Sequence, residues 1–280
     1  MRYRRPTPLE MYRDGRFEKR RAAWQDLMQW GELEPGSSRW DEAYTVARET
    51  MGRARQNVET IIAFLSEEGY VFGPAPDEGL TAGPPWRPPD TESAEQLSRL
   101  TALAGPLPLY LRAWYETVGA VCLQGRFPDL WPDHAGLPMT DPLVVEPLDV
   151  VLEMLQVYDE EVRYLREHGR EDELQHPRYA LPGPPIIIAP DVYHKAHVSG
   201  GAPYEMRAPD GRADASLLNV HIFIPSPPNA AVPHRKIAAN ETLVEYLRRS
   251  FEWSGFPGHA FQALPGIERM TPLLTELLPI

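Results

Sequence analysis

Asp191, His194 and His197 place a carboxylate and two imidazoles within seven residues. On a helix, His194 and His197 share a face at i and i+3, and with Asp191 they make a three-ligand set for a zinc-like ion. Gly200 and Gly201 follow at once and leave little room for that helix. No Glu stands in a His-Glu-x-x-His arrangement. Ser199 lies in the same stretch, and with His194, His197 and Asp214 it offers the residue types of a hydrolytic triad. The Gly-x-Ser-x-Gly elbow is missing, because position 197 is His. Ser199-Gly200-Gly201 also has the form of a backbone nest for an anion, without the Lys and the long helix of a phosphate loop. The alternative for the run is an ordered loop of Asp191, His194, Lys195, Ser199, Gly200, Gly201 and Tyr204, either structural, with Asp191 capping a turn and the glycines shaping it, or partner-binding.

Outside this run the chemistry thins. Cys122 is the single cysteine, which excludes an internal disulfide and a cysteine-based zinc cage. It falls in an expected buried strand, where a thiol is inert. Asp159-Glu160-Glu161 and Glu171-Asp172-Glu173 are adjacent carboxylates, which do not face each other on a helix. They read as a solvated face or as an acidic docking strip for a basic partner.

The elements that must hold these residues follow from spacing. Arg16 to Leu33 reads as a helix, and a longer one starts at Ser37 or Ser38 and runs to Glu68. Gly69 to Phe72 resembles a short strand. The Pro/Gly-rich run from 73 to 92 is expected to be a linker or an extended wrap. Ser93-x-x-Gln96 has the form of a capping box for a helix to Ala104. Leu107 to Tyr115 gives a further short helix, ended at Gly119. Val121–Leu123 and Leu143–Val145 read as strands. Pro147 starts a helix through Val150, Val151, Met154, Leu155 and Val157. Ile186–Ile188 is an apolar strand with Tyr204–Arg207 as its partner. Asn240 is expected to cap a helix from Glu241 to Phe251, and Met270 to Leu278 to form the last one. This order lacks βαβ alternation and points to an α+β class. The expected organisation is a helical N-terminal region (1–72), a linker (73–92) and an α+β domain of mostly antiparallel sheet packed with helices (93–280).

Charge bounds the partners. The chain carries −12 over its 280 residues. Residues 1–21 hold eight Arg/Lys against three acids, so the rest of the chain carries −17. Such a body repels nucleic acid and suits a basic protein surface. No apolar run approaches the roughly 18 residues that span a bilayer. The expectation is a cytoplasmic protein that binds neither nucleic acid nor membrane and carries no cofactor.

The stretch Leu107-Pro108-Leu109-Tyr110-Leu111-Arg112-Ala113-Trp114-Tyr115-Glu116-Thr117-Val118-Gly119 resembles the helix-to-strand signature of the SUKH superfamily. That group includes the fungal cell-wall assembly regulators of the Smi/Knr type. Asp141-Pro142-Leu143-Val144-Val145-Glu146-Pro147-Leu148 resembles its next strand and helix start. Ala189-Pro190-Asp191, His194-Lys195, Ser199-Gly200-Gly201, Pro203-Tyr204, Ala213-Asp214-Ala215 and Phe251 through Gly258 resemble a bacterial branch. There Ser254 stands in place of the Gly of that pattern. The match spans about residues 93–260. It implies an α+β scaffold for protein binding, and in bacteria an immunity protein that neutralises a toxin, often a nuclease. It carries no catalytic residues to this chain. A regulatory scaffold for an endogenous partner, and a metal or Ser hydrolase built on Asp191, His194 and His197, remain as alternatives.

Overall fold

The computed structural model describes residues 4–30, 33–73, 83–130, 140–175, 184–190, 195, 203–207, 221–222, 241–260 and 267–280. Three helices open it: α1 (Pro8–Arg13), α2 (Phe17–Met28) and α3 (Ser38–Glu67). Ser37 caps α3, its hydroxyl accepting from Trp40 N at 3.2 Å. The 30 residues of α3 span about 45 Å. Its face of Ala43, Val46, Ala47, Met51, Ala54, Val58, Ile61 and Leu65 is fully buried. Small residues alternate with large ones there, which lets a neighbouring helix approach closely.

That neighbour is α5 (Leu109–Thr117), which packs along α3 and carries the buried Tyr110, Trp114 and Tyr115. α4 (Ser93–Ala104) lies against both α5 and α6 (Leu148–Glu167). Short antiparallel ladders fill the other side. β1 (Val71–Phe72) pairs with β4 (Gly125–Arg126), and β3 (Ala120–Cys122) sits between β2 (Trp86–Arg87) and β5 (Val144–Val145). β6 (Pro185–Ala189) pairs with β7 (Tyr204–Arg207), as the apolar Ile186–Ile188 run and its alternating partner predict. β8 (His221–Ile222) pairs with β9 (Glu241–Thr242). Glu146 N donates to Ile188 O at 2.7 Å and so lays β6 beside β5. Helix α7 (Leu243–Glu252), a short α8 (Ile267–Met270) and a 3-10 turn (Pro272–Thr275) close the chain. The class is α+β, small antiparallel sheets packed with helices and preceded by N-terminal helices.

Several boundaries differ from the expected ones, each for a local reason. The stretch expected as a linker or wrap carries strand β2, and Trp86 Nε1 donates to Val118 O at 2.7 Å. Ser93 is not the cap of α4. The N-cap is Glu92, whose side chain makes no capping bond, and Asp90 two residues earlier satisfies the first N–H groups, its Oδ1 accepting from Glu92 N, Ser93 N and Ser93 Oγ at 3.0, 3.0 and 2.9 Å. The last cap is Thr242, not Asn240, with Glu245 completing a capping box. α2 ends at Met28 and α6 starts at Leu148 with Pro147 as its cap. The expected helix 270–278 is broken by Pro272, which has no N–H to continue it, and the chain tightens into i→i+3 bonds.

Two positive-φ positions matter here. Gly119 (φ 87) ends α5, and a Cβ there would lie 2.2 Å from Arg87 O, so β2 can run alongside only because the residue is Gly. Ser254 has φ 54 and is buried, its Oγ donating to Met270 O at 3.3 Å.

The N-terminal helices share one hydrophobic core with the rest of the described chain. Polar ties cross between them. Tyr44 OH donates to Glu116, and Tyr70 OH to Leu123 O at 2.8 Å. Asn57, buried in α3, pairs its amide with the Leu278 backbone in both directions, at 2.9 and 2.7 Å.

Candidate functional site

Of the candidate residues between Asp191 and Asp214, the structure describes Lys195 and Tyr204. Asp191, His194, His197, Ser199, Gly200, Gly201 and Asp214 lie outside the described residues. Among the described residues, no group of three or more His, Cys, Asp or Glu is arranged to hold a metal ion.

Lys195 does not reach the surface. Its side chain has no exposed area, and its ammonium donates to Asp141 Oδ1 at 2.7 Å and to Tyr246 OH at 3.2 Å. It lies 4.2 Å from the Tyr204 ring centroid and 5.5 Å from that of Tyr246. Tyr204 OH donates to Asp141 Oδ2 at 2.9 Å, and the two rings meet edge to face at 5.6 Å. Gln124 Nε2 fixes the backbone by donating to Lys195 O at 3.1 Å. Each member comes from a different element. Asp141 precedes β5, Tyr204 opens β7, Tyr246 sits on the inner face of α7, and Gln124 joins β3 to β4.

Asp141 adopts φ 50, a conformation that Asp tolerates better than most residues. The turn aims its carboxylate inward, where both oxygens are used. A buried carboxylate without partners is costly, and here the ammonium and a phenol satisfy it. Burial pulls the Lys195 pKa down, but the Asp141 charge, Tyr246 and the hydrogen bonds outweigh it, so the net shift is upward. Burial, then the Asp141 charge, pushes the Tyr204 phenol well above its ordinary value. Burial raises the Tyr246 phenol against the opposing Lys195 charge. A lysine nucleophile needs the opposite shift, toward a neutral amine. This arrangement keeps a permanent ion pair, enclosed by two rings, that ties β5, β7 and α7 together.

Sequence reasoning missed Tyr246 and Gln124 and met Asp141 only as part of a strand motif. The available signal was Asp141 itself, an acid at the head of the apolar run Leu143–Val145. Such a residue is either turned to solvent or paired, and its partner lies 54 residues away.

Cys122, expected on a buried strand, is half-buried, whereas His259 is buried. Burial raises the Cys122 thiol, whose Sγ lies 3.3 Å from Gln124 Oε1. That direction opposes reactivity at neutral pH. His259 is 4 % exposed, stacks on Trp253 at 6.4 Å and meets Phe256 edge-on. Neither ring nitrogen has a hydrogen-bond partner among the described residues. Burial pulls its pKa down to about 4.

The surface differs in character. Residues 148–175 hold nine Asp/Glu and three Arg, a net of −6, which is half of the chain's −12 on a tenth of its length. Met154, Val157 and Tyr164 of α6 are 37, 54 and 49 % exposed. Among the described residues, no helix is long and apolar enough to cross a membrane. Comparison with the families, curated proteins and solved structures known to date finds no match for this chain.

Proposed function

We propose that this chain is a non-enzymatic binding protein that covers a basic protein surface, and that it serves as the immunity partner of a toxin. The observation that carries the reading is the acidic segment 148–175, α6 and the residues just after it, with its net of −6 beside exposed apolar side chains of α6. Charge complementarity accelerates encounter and excludes acidic partners, while apolar contact holds the complex. The resemblance to SUKH domains supplies the toxin. A nuclease presents a basic face built for phosphate, and an acidic body of −17 is its natural complement. The Lys195 cluster has a supporting part in this reading. Its bonds hold the sheet-to-helix geometry and leave the binding to the surface.

The test is affinity capture at low ionic strength, with the products of adjacent genes and host lysate as prey. Capture of one basic, toxic neighbour whose toxicity is relieved by co-expression supports the reading. Capture of a housekeeping assembly points instead to a regulatory scaffold. Capture of nothing, with metal found in the purified protein and activity lost in His194→Ala, points to a hydrolase.

A further inference from the structure

Val150, Met154, Val157, Glu161 and Tyr164 along α6, and His168 at its C-cap, follow one another by four, three, four, three and four residues. That is the spacing of a and d positions in a heptad seam. The stripe lies on the side of α6 away from Leu148, Val151, Leu152 and Leu155, which are buried against α4 and β6. α6 therefore has two apolar faces, one used by the fold and one open. The open seam runs about 27 Å, five turns of helix.

Its edges carry a second regularity. With Val150, Val157 and Tyr164 at d, the g positions are Glu153, Glu160 and Glu167. The e positions are Val151, Tyr158 and Leu165, which are buried or half-buried. One rim of the seam is thus a row of glutamates at every seventh residue, and the other is the protein body. Interhelical pairing at g requires a cation on the partner. A second copy of this chain brings glutamates or apolar residues to that rim and no cation, so self-pairing leaves three carboxylates unmatched.

We propose that the outer face of α6 docks an amphipathic helix with basic flanks, from a partner protein, in coiled-coil fashion. The inference rests on the proposed binding role and names the kind of surface it meets. Leu or Ile knobs of the partner helix seat between Val150, Met154, Val157 and Tyr164. Lys or Arg side chains of that helix meet Glu153, Glu160 and Glu167.

The test uses the full chain and a labelled 21-residue peptide with Leu at a and d and Lys at e and g. A matched peptide with Glu at e and g is the control. Fluorescence anisotropy at low ionic strength reads the affinity. The proposal expects the Lys peptide to bind and the Glu peptide to bind at least about tenfold more weakly. Val157→Asp is expected to weaken the Lys peptide by about tenfold or more, and Tyr164→Ala in the same direction. Leu274→Asp, an exposed apolar site on another element, is expected to leave binding unchanged. Thermal unfolding confirms that each variant folds. Equal binding of the Lys peptide by wild type and Val157→Asp would overturn the seam in favour of diffuse charge attraction. Failure of the Lys peptide to bind would overturn it outright. Dimerisation of the chain that Val157→Asp abolishes would assign the seam to a second copy. The outcomes separate from the immunity reading. A captured toxin still bound by Val157→Asp sinks the seam alone, and peptide binding without any toxic neighbour sinks the immunity reading alone.

Discussion

Replacing Lys195 with Met tests whether the buried cluster holds the fold together. The substitution keeps the length of the side chain and removes the ammonium. Asp141 then retains the Tyr204 hydroxyl on Oδ2 and loses the charge at 2.7 Å on Oδ1, with 5 % of its side chain exposed. Breaking a buried pair by removing one partner costs about 3–5 kcal/mol, because the remaining charge stays out of water. Adding Asp141→Asn removes that charge too. Asn tolerates the left-handed backbone at φ 50 and still accepts from Tyr204. The double variant is therefore expected to be more stable than Lys195→Met alone, with a coupling of about 2 kcal/mol or more. Urea unfolding followed by the fluorescence of the seven tryptophans reads both values, provided that the slope is unchanged. A loss below about 1 kcal/mol for Lys195→Met would refute the tether. Additive losses in the double variant would refute the direct pairing.

Two further outcomes follow from buried groups and shared packing. His259 titrates near 4 in the folded chain and near 6.5 when unfolded, so between these values the unfolded state binds more protons. Stability is expected to be whole above about pH 6.5 and to fall by roughly 3 kcal/mol as pH drops to about 4. His259→Phe should flatten that part of a denaturation-against-pH profile, and an unchanged slope would assign the loss to other groups. Removing residues 1–82 takes away the α3 face packed on α5 and the Asn57 clamp on Leu278. The remaining chain is expected to lose its cooperative unfolding transition in calorimetry. A cooperative transition in that fragment would make the helices an accessory module.

How far the sequence disclosed this molecule depends on the range of each signal. α3 is legible because an N-cap serine, an apolar stripe and a terminal Gly69 all lie within one continuous segment. The pairing of Ile186–Ile188 with Tyr204–Arg207 is legible from period-two patterning and a short separation. The caps of α4 and α7 are misread because several Ser, Thr, Asp and Asn stand near each start, and hydrogen-bond geometry selects among them. The carboxylate of Asp90 takes the first N–H groups of α4, and Thr242 caps α7. The Lys195 cluster is half legible. Lys195 and Tyr204 stand in a polar run that invites attention, but Asp141 and Tyr246 join them only through the fold, from 54 and 51 residues away. The run suggests chemistry from residue types alone, and burial turns two of those residues into a structural tie. The outer seam of α6 is written in the sequence, though the inner apolar positions mask it until burial separates the two faces.

The central claim is that an acidic, partly apolar surface binds a basic protein, and the affinity of the captured partner at low and high salt tests it most directly. Exposed charges are screened beyond about 10 Å at 0.1 M salt and about 3 Å at 1 M. The account predicts a clear loss of affinity between these conditions, carried mainly by a slower association rate. An affinity indifferent to salt would contradict it.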